Sequence, residues 1–385
     1  MPVIPYARQS ISQADVEAVV EVLRSDWLTQ GPCIERFESE VAAYCGARQA
    51  VAVSNGTAAL HLACMALGLG PGDRLWTSPN TFVASANCAR YCGASVDFVD
   101  IDPRTGNLSV ERLAEKLVDA EKKGTLPKVV VPVHFAGQPC DMEAIGGLAR
   151  RYGFRVVEDA SHAIGAEHRG EKTGSCAHSD ITVLSFHPVK IVTTAEGGMT
   201  LTNDEQLAQR LRLLRTHGIT RNAAEMRGAS EGPWYYQQVA LGYNYRLTDL
   251  QAALGSSQLK RIGAFLARRR ALVERYHQKL AGLPLTLPHE APGAASAWHL
   301  YVVQVDDPAR RESVFRRMRE KGVLVNVHYI PVHLQPYYRD LGFKPGDFPE
   351  AERYYQRAIS LPLYFELTEA QQDAVCEALR ESLDG

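Results

Sequence analysis

The stretch on which the fold turns is Ile181-Thr182-Val183-Leu184-Ser185-Phe186-His187-Pro188-Val189-Lys190-Ile191-Val192-Thr193-Thr194-Ala195-Glu196-Gly197-Gly198. Its β-branched start, Ile181 to Leu184, reads as a buried strand. A Glu-Gly-Gly turn closes it, and a single lysine, Lys190, stands between the two. An amine in that place can react covalently with an aldehyde if it is held neutral. Burial and neighbouring cations lower a lysine pKa from about 10.4 toward roughly 7–8. Alone, a loop lysine reads as an ordinary solvated residue; the rest of the chain changes that reading.

From residue 48 to 218, short apolar runs alternate with helical patterns. Val51-Ala52-Val53 precedes a helix starting at Thr57, and Leu75-Trp76-Thr77 precedes one over Thr81 to Tyr91. Val96 to Val99 precedes a helix over Val110 to Glu121, and Val129 to Val133 one over Met142 to Arg151. Arg155-Val156-Val157 ends at Glu158-Asp159, and the run from Ile181 ends near Lys190. This alternation predicts a mostly parallel sheet with helices on both faces, which places ligands at the carboxyl ends of the strands. Gly228 to Tyr245, rich in Gly, Pro, Tyr and Trp, reads as a boundary. One long helix is expected over Leu247 to Leu280. A compact α+β segment follows, with strands at Trp298–Val305 and Val323–Val327 and a helix over Ser313 to Lys321.

The 385 residues carry a net charge of −2, which offers nothing for nucleic acid to grip. The start, Met1 to Arg8, lacks a basic region followed by an apolar block. The longest uncharged stretch, Ala50 to Gly72, is broken by polar residues and glycines, so no membrane segment is expected. Eight scattered cysteines form no Cys-x-x-Cys pair. Buried free thiols, no metal and a cytoplasmic location are expected.

Five features join Lys190. Asp159 closes a strand, where a carboxylate can keep a pyridinium nitrogen protonated; His162 follows at a spacing that can stack on or bond to the same ring. Ser54-Asn55-Gly56-Thr57-Ala58 joins a strand to a helix, and the free amides of a helix start hold phosphate. Ser185 can add a hydroxyl to that phosphate, and Phe82 can stack on a flat ring. Each has an ordinary explanation alone. Together they supply a phosphate cradle, a pyridinium partner, an aromatic face and an amine, the parts of a pyridoxal phosphate (PLP) site.

Val157 to Gly165 and Ser185 to Gly198 resemble the sugar aminotransferases of the DegT/DnrJ/EryC1/StrS family. So do Trp27-Leu28-Thr29-Gln30-Gly31-Pro32, Gly242 to Asp249, and His328-Tyr329-Ile330-Pro331-Val332, and the resemblance runs over essentially the whole chain. It implies the aspartate aminotransferase type of PLP fold (fold type I, α/β). Residues 1–245 would form a large PLP-binding domain with an N-terminal arm, and 246–385 a long helix and a smaller C-terminal α+β domain. It also implies a homodimer. Lys190 would bond to the cofactor aldehyde and Asp159 pair with its ring nitrogen. Gly56, Thr57, Ala58 and Ser185 would hold the phosphate, and Asn244 would reach toward the partner subunit's phosphate.

Two subgroups are similar in Ser161-His162 and Ser185-Phe186-His187. One makes UDP-4-amino-4,6-dideoxy-N-acetyl-β-L-altrosamine, toward pseudaminic acid; the other makes UDP-4-amino-4-deoxy-L-arabinose. His328-Tyr329-Ile330-Pro331, Tyr243 to Arg246 and Asp347 to Glu352 favour the first. It implies L-glutamate as donor and a UDP-linked 4-keto sugar touched by Tyr6, Asp26, Trp27, Leu28, Thr29, His328, Tyr329, Ile330 and Pro331. The rival sugar 3-dehydratases of this fold carry histidine in place of Lys190. A non-catalytic regulator with the same fold is disfavoured by the intact Lys190, Asp159 and phosphate loop. Arg8 and Arg246 leave an amino-acid aminotransferase open.

Overall fold

The computed structural model describes residues 3–384; Met1 and Pro2, part of the stretch read for a leader, and the C-terminal Gly385 lie outside the described residues. Seven strands form the central sheet: β1 (Gln49–Val53), β2 (Arg74–Thr77), β3 (Ser95–Phe98), β4 (Val129–Val131), β5 (Arg155–Asp159), β6 (Ile181–Ser185) and β7 (Gly198–Thr202). Their order is β1-β7-β6-β5-β4-β2-β3, parallel except for β7, which runs against both neighbours. Strands covered on both faces can be apolar throughout, which is why Val129-Val130-Val131 reads as an unbroken run.

Helix α1 (Gly56–Ala66) buries Ala59, Leu60, Leu62, Ala63 and Cys64 against the sheet. Each buried leucine contributes about 1.5–3 kcal/mol. Asn55 caps it, its side-chain oxygen accepting from the Ala58 amide at 2.8 Å. Helix α2 (Ala84–Tyr91) starts three residues later than the expected Thr81. That leaves Thr81, Phe82 and Val83 in the turn leading into it.

The expected single helix over 247–280 is two, α3 (Asp249–Leu259) and α4 (Ile262–Leu280), with the break at Lys260-Arg261. Buried Asp249 opens α3 by accepting from the Gly31 and Cys33 amides at 2.7 and 2.9 Å, which ties the 26–31 segment to the helix start. A smaller antiparallel sheet follows: β8 (Leu285–Thr286), β9 (Tyr301–Val305) and β10 (Ala358–Leu361). Residues of α4 and the C-terminal helix Glu369–Asp384 share its core, through Leu272, Tyr276, Val375 and Leu379.

Two other expectations shorten. The strand expected from Trp298 begins at Tyr301, because Trp298 takes a left-handed φ of 49°. The strand expected over 323–327 is only Val323–Leu324, paired to Ile4–Pro5 near the N-terminus. Residues 297–300 cross the end of the central sheet: Ala297 and Leu300 donate to the Gly137 and Ala136 carbonyls at 3.0 and 3.2 Å. Gly137 is needed there (φ 97°), since a Cβ would stand 2.8 Å from the Trp298 nitrogen. Buried Arg269 of α4 donates to the carbonyls of Trp298, His299 and Leu363 and so holds the crossing.

All eight cysteines are free; Cys33 and Cys92 are half-buried and the rest buried. Among the described residues, no cluster of His, Cys, Asp or Glu is arranged to hold a metal ion, and no helix is long and apolar enough to cross a membrane.

Candidate active site

A cavity of about 870 Å³ opens at the carboxyl ends of β5 and β6. Ser185 ends β6, and the chain turns through His187 to Lys190, whose amide donates to the His187 carbonyl at 2.8 Å. Burial lowers the Lys190 pKa to about 8 against the opposing attraction of Asp159. Lys190 is the sole Lys or Arg among the lining residues.

Asp159 is buried at the end of β5 with both oxygens engaged. The Ser85 hydroxyl donates to Oδ2 at 2.6 Å, and the Ser161 amide to Oδ1 at 3.1 Å. Behind it, His134 Nδ1 accepts from the Cys140 amide at 3.0 Å, which leaves the ring proton on Nε2, 2.9 Å from Glu158 Oε2. Glu158 also accepts from Ser179 and Thr182. Burial opposes its charge, but these partners hold its pKa below the usual range. This network fixes the strand end that carries Asp159.

Opposite stands the start of α1. Asn55 uses its side chain on Ala58, and Gly56 and Thr57 face the cavity beside Ser185. A Cβ on Gly56 would meet the Ser185 Cβ at 3.1 Å, so glycine keeps the cradle open. The residues present fit PLP: first-turn amides and a hydroxyl for the phosphate, a doubly anchored carboxylate for the ring nitrogen, and a half-buried amine with a lowered pKa between them.

Beside His187, Tyr91 and Tyr245, the remainder is lined by the imidazoles of His162, His299 and His328 and the phenols of Tyr6 and Tyr329. The Tyr329 hydroxyl lies 3.1 Å from His162 Nε2, and the His162 and His299 ring centroids are 4.4 Å apart. Burial, and then the Lys190 charge, push the His162 pKa well below its ordinary value and that of His328 to about 4; in His299 burial is followed by the His162 charge. His328 Nδ1 is 2.7 Å from Ser360 Oγ, and Tyr6 packs on its ring.

Of the residues expected from sequence, the cavity gathers Tyr6, Gly56, Thr57, Ala58, Phe82, Asp159, His162, Ser185, Lys190, His328 and Tyr329. It does not gather Asn244, Asp26, Trp27, Leu28, Thr29, Ile330 or Pro331. Asn244 and residues 26–29 are exposed, bridged to the Thr216 and Thr248 backbones, and Pro331 caps a short 3-10 turn. Sequence reasoning missed His299, Asn326, Tyr245, Glu196, Thr81 and, behind the cavity wall, Ser85. Asn55 had a readable signal, an Asn directly before a helix start. His299 had none, since only the crossing of 297–300 over the sheet end brings it beside His162.

Fold and site together define a PLP-dependent enzyme of fold type I, α/β with a mostly parallel central sheet. The DegT/DnrJ/EryC1/StrS aminotransferase family model matches residues 9–380, and the chain belongs to that family. It is a sugar aminotransferase and its cofactor is PLP. The spore coat polysaccharide biosynthesis protein SpsC of Bacillus subtilis (strain 168) is 42% identical over 99% of this chain and 97% of its own. The sugar aminotransferase Spr1654 of Streptococcus pneumoniae, solved in its PMP form, superposes with a TM-score of 0.90 at 30% identity over 99% of both chains. Helicobacter pylori PseC, an aminotransferase involved in the biosynthesis of pseudoaminic acid, does so with a TM-score of 0.91 at 28% identity, again over 99% of both chains.

Proposed function

We propose that the protein transfers an amino group from L-glutamate to C-4 of a nucleotide-linked 4-keto-6-deoxy sugar. We take that sugar to be UDP-2-acetamido-2,6-dideoxy-β-L-arabino-hex-4-ulose, on the way to pseudaminic acid. The observation that carries the reading is the half-buried Lys190 amine, its pKa lowered to about 8, between Asp159 and the Gly56–Ser185 cradle. When bound, PLP draws electrons from the carbon that loses its proton.

This chain's residues do the rest. Gly56, Thr57 and Ser185 would hold the phosphate beside Ala58, whose amide Asn55 already occupies, and Asp159 would keep the ring nitrogen protonated. Phe82 and His162 would offer their ring faces to the cofactor ring. Lys190 takes the proton from the donor Cα and delivers it again, as base and then acid, which its pKa suits near neutral pH. In balance, glutamate leaves as 2-oxoglutarate, its keto oxygen taken from one water, and the sugar's carbonyl oxygen leaves as another. Tyr6, His328 and Tyr329 offer ring faces and hydroxyls to the sugar and base.

The exposed Asn244, Asp26, Trp27, Leu28 and Thr29, with Ile330 and Pro331, serve the site of a second copy in a cytoplasmic homodimer. In that dimer residues 1–245 are the cofactor domain and 246–385 the smaller one. The resemblance of Tyr243 to Arg246 and His328 to Pro331 supports the choice of sugar, as does the PseC likeness. The Ser161-His162 and Ser185-Phe186-His187 pattern keeps a second reading, the UDP-4-keto-pentose that yields UDP-4-amino-4-deoxy-L-arabinose.

The test is absorbance of the PLP-loaded protein. L-Glutamate without sugar should remove the yellow band, and the correct 4-keto sugar should restore it. Restoration by the pentose alone selects the second reading, and a band unmoved by glutamate rejects the donor. Turnover of Lys190→Ala near wild type would reject the mechanism.

A further inference from the structure

Resting on Asp159 as the ring-nitrogen partner, we propose that Thr81 and Ser85 form a directional hydroxyl relay that orients Asp159 and strengthens its bond to that nitrogen. They act as positioning residues for the transamination, without touching its reacting atoms.

Ser85 lies in the first turn of α2, fully buried, with its hydroxyl 2.6 Å from Asp159 Oδ2. An ionised carboxylate only accepts, so the one hydroxyl proton of Ser85 goes to Asp159. Thr81 Oγ1 is 2.8 Å from Ser85 Oγ. With the Ser85 proton committed, Thr81 must be the donor. The order Thr81 to Ser85 to Asp159 follows from proton count alone.

A simpler explanation, helix capping, does not fit. Val83 occupies the N-cap of α2 with no side-chain cap bond, and the Thr81 hydroxyl bonds to Ser85 across one turn. Thr81 itself lines the cavity, so the relay runs from the cavity wall to the back of the carboxylate. Hydrogen bonds to an ionised group are the stronger kind, and donors in series polarise one another.

The consequence has a sign. Donors in series hold the Asp159 carboxylate toward the cofactor ring nitrogen and strengthen that charge-assisted bond. Without them the ring nitrogen is held less firmly and the ring keeps less of its positive charge. The protonated linkage at Lys190 then meets less repulsion and keeps its proton to higher pH.

The experiment titrates PLP into the apo forms of wild type, Ser85→Ala, Ser85→Thr, Thr81→Val and Asp159→Asn. It reads the dissociation constant by fluorescence quenching, and the pH midpoint of the bound cofactor's absorbance change. The relay predicts about tenfold weaker PLP binding for Ser85→Ala with an upward midpoint. Thr81→Val should shift the midpoint the same way by less, and Ser85→Thr should restore both readouts. Weaker binding with an unmoved midpoint would mean packing alone and would overturn the relay. Wild-type values in Ser85→Ala and Thr81→Val, with Asp159→Asn impaired, would also overturn it. Wild-type values in Asp159→Asn would instead reject Asp159 as the ring partner. Should Ser85→Ala fail to fold by circular dichroism, Thr81→Val decides: a raised midpoint supports the relay and an unmoved one overturns it.

Discussion

Replacing Lys190 with methionine should abolish activity and at the same time stabilise the cofactor-free protein. The folded pKa of Lys190 is lowered from 10.5 to about 8 by burial, with the attraction of Asp159 already counted against that fall. At 1.36 kcal/mol per tenfold, the charged amine costs the fold about 3 kcal/mol. Its partial exposure reduces this to about 2–3 kcal/mol. The sign follows from proton counts. Below pH 8 the amine is charged both folded and unfolded, so the whole cost is present. Between about 8 and 10.5 the unfolded chain holds the extra proton, so wild-type stability rises with pH and the cost fades. Methionine fills a similar volume with no charge. Thermal unfolding of the apoproteins at pH 6.5 should put Lys190→Met above wild type by about 3 °C, given the unfolding entropy of a chain this long. The gap should close near pH 10.5. A variant melting at or below wild type at pH 6.5, or a gap independent of pH, would mean that the Lys190 charge does not burden the fold.

Other outcomes follow from the same site. The rate of PLP capture by the apoprotein should rise with pH to a midpoint near the Lys190 value of about 8, measured by stopped-flow absorbance; a midpoint near 10.5 would mean a solvated amine. Gly56→Val should weaken PLP binding more than tenfold by closing the approach to Ser185, while the melting temperature moves little. Asp249→Ala strips the acceptor from the Gly31 and Cys33 amides; it should cost about 2 kcal/mol in urea unfolding and open the 26–31 segment to proteolysis. Tyr329→Phe removes the hydroxyl facing His162 Nε2. It should slow the sugar half-reaction about tenfold with PLP affinity unchanged, as single-turnover kinetics would report.

Local patterns carried much of this protein into view. The apolar runs ending at Asp159 and Ser185 are strands whose apolar residues, Val156, Val157, Ile181, Val183 and Leu184, are all covered, and the sequence period shows it. A glycine after Asn55 signals a helix start with spare amides whatever surrounds it. Local patterns failed where geometry turns on contacts from afar. The 247–280 pattern is helical throughout, yet the chain breaks at Lys260-Arg261. Trp298 looks like a strand residue and instead takes a left-handed turn, held by the Arg269 clamp and the Gly137 contact.

Legible along the chain were the alternating sheet, the lysine and carboxylate at neighbouring strand ends, and the phosphate-ready turn. Those depend on period, residue type and order along one chain. Long-range packing put His299 against His162, set Ser85 and Ser161 on the two oxygens of Asp159, and kept Asn244 and residues 26–29 away from this chain's own cavity. Such placements join residues up to about a hundred and forty positions apart in sequence. They are set by packing and hydrogen-bond demand across elements, which no local pattern encodes.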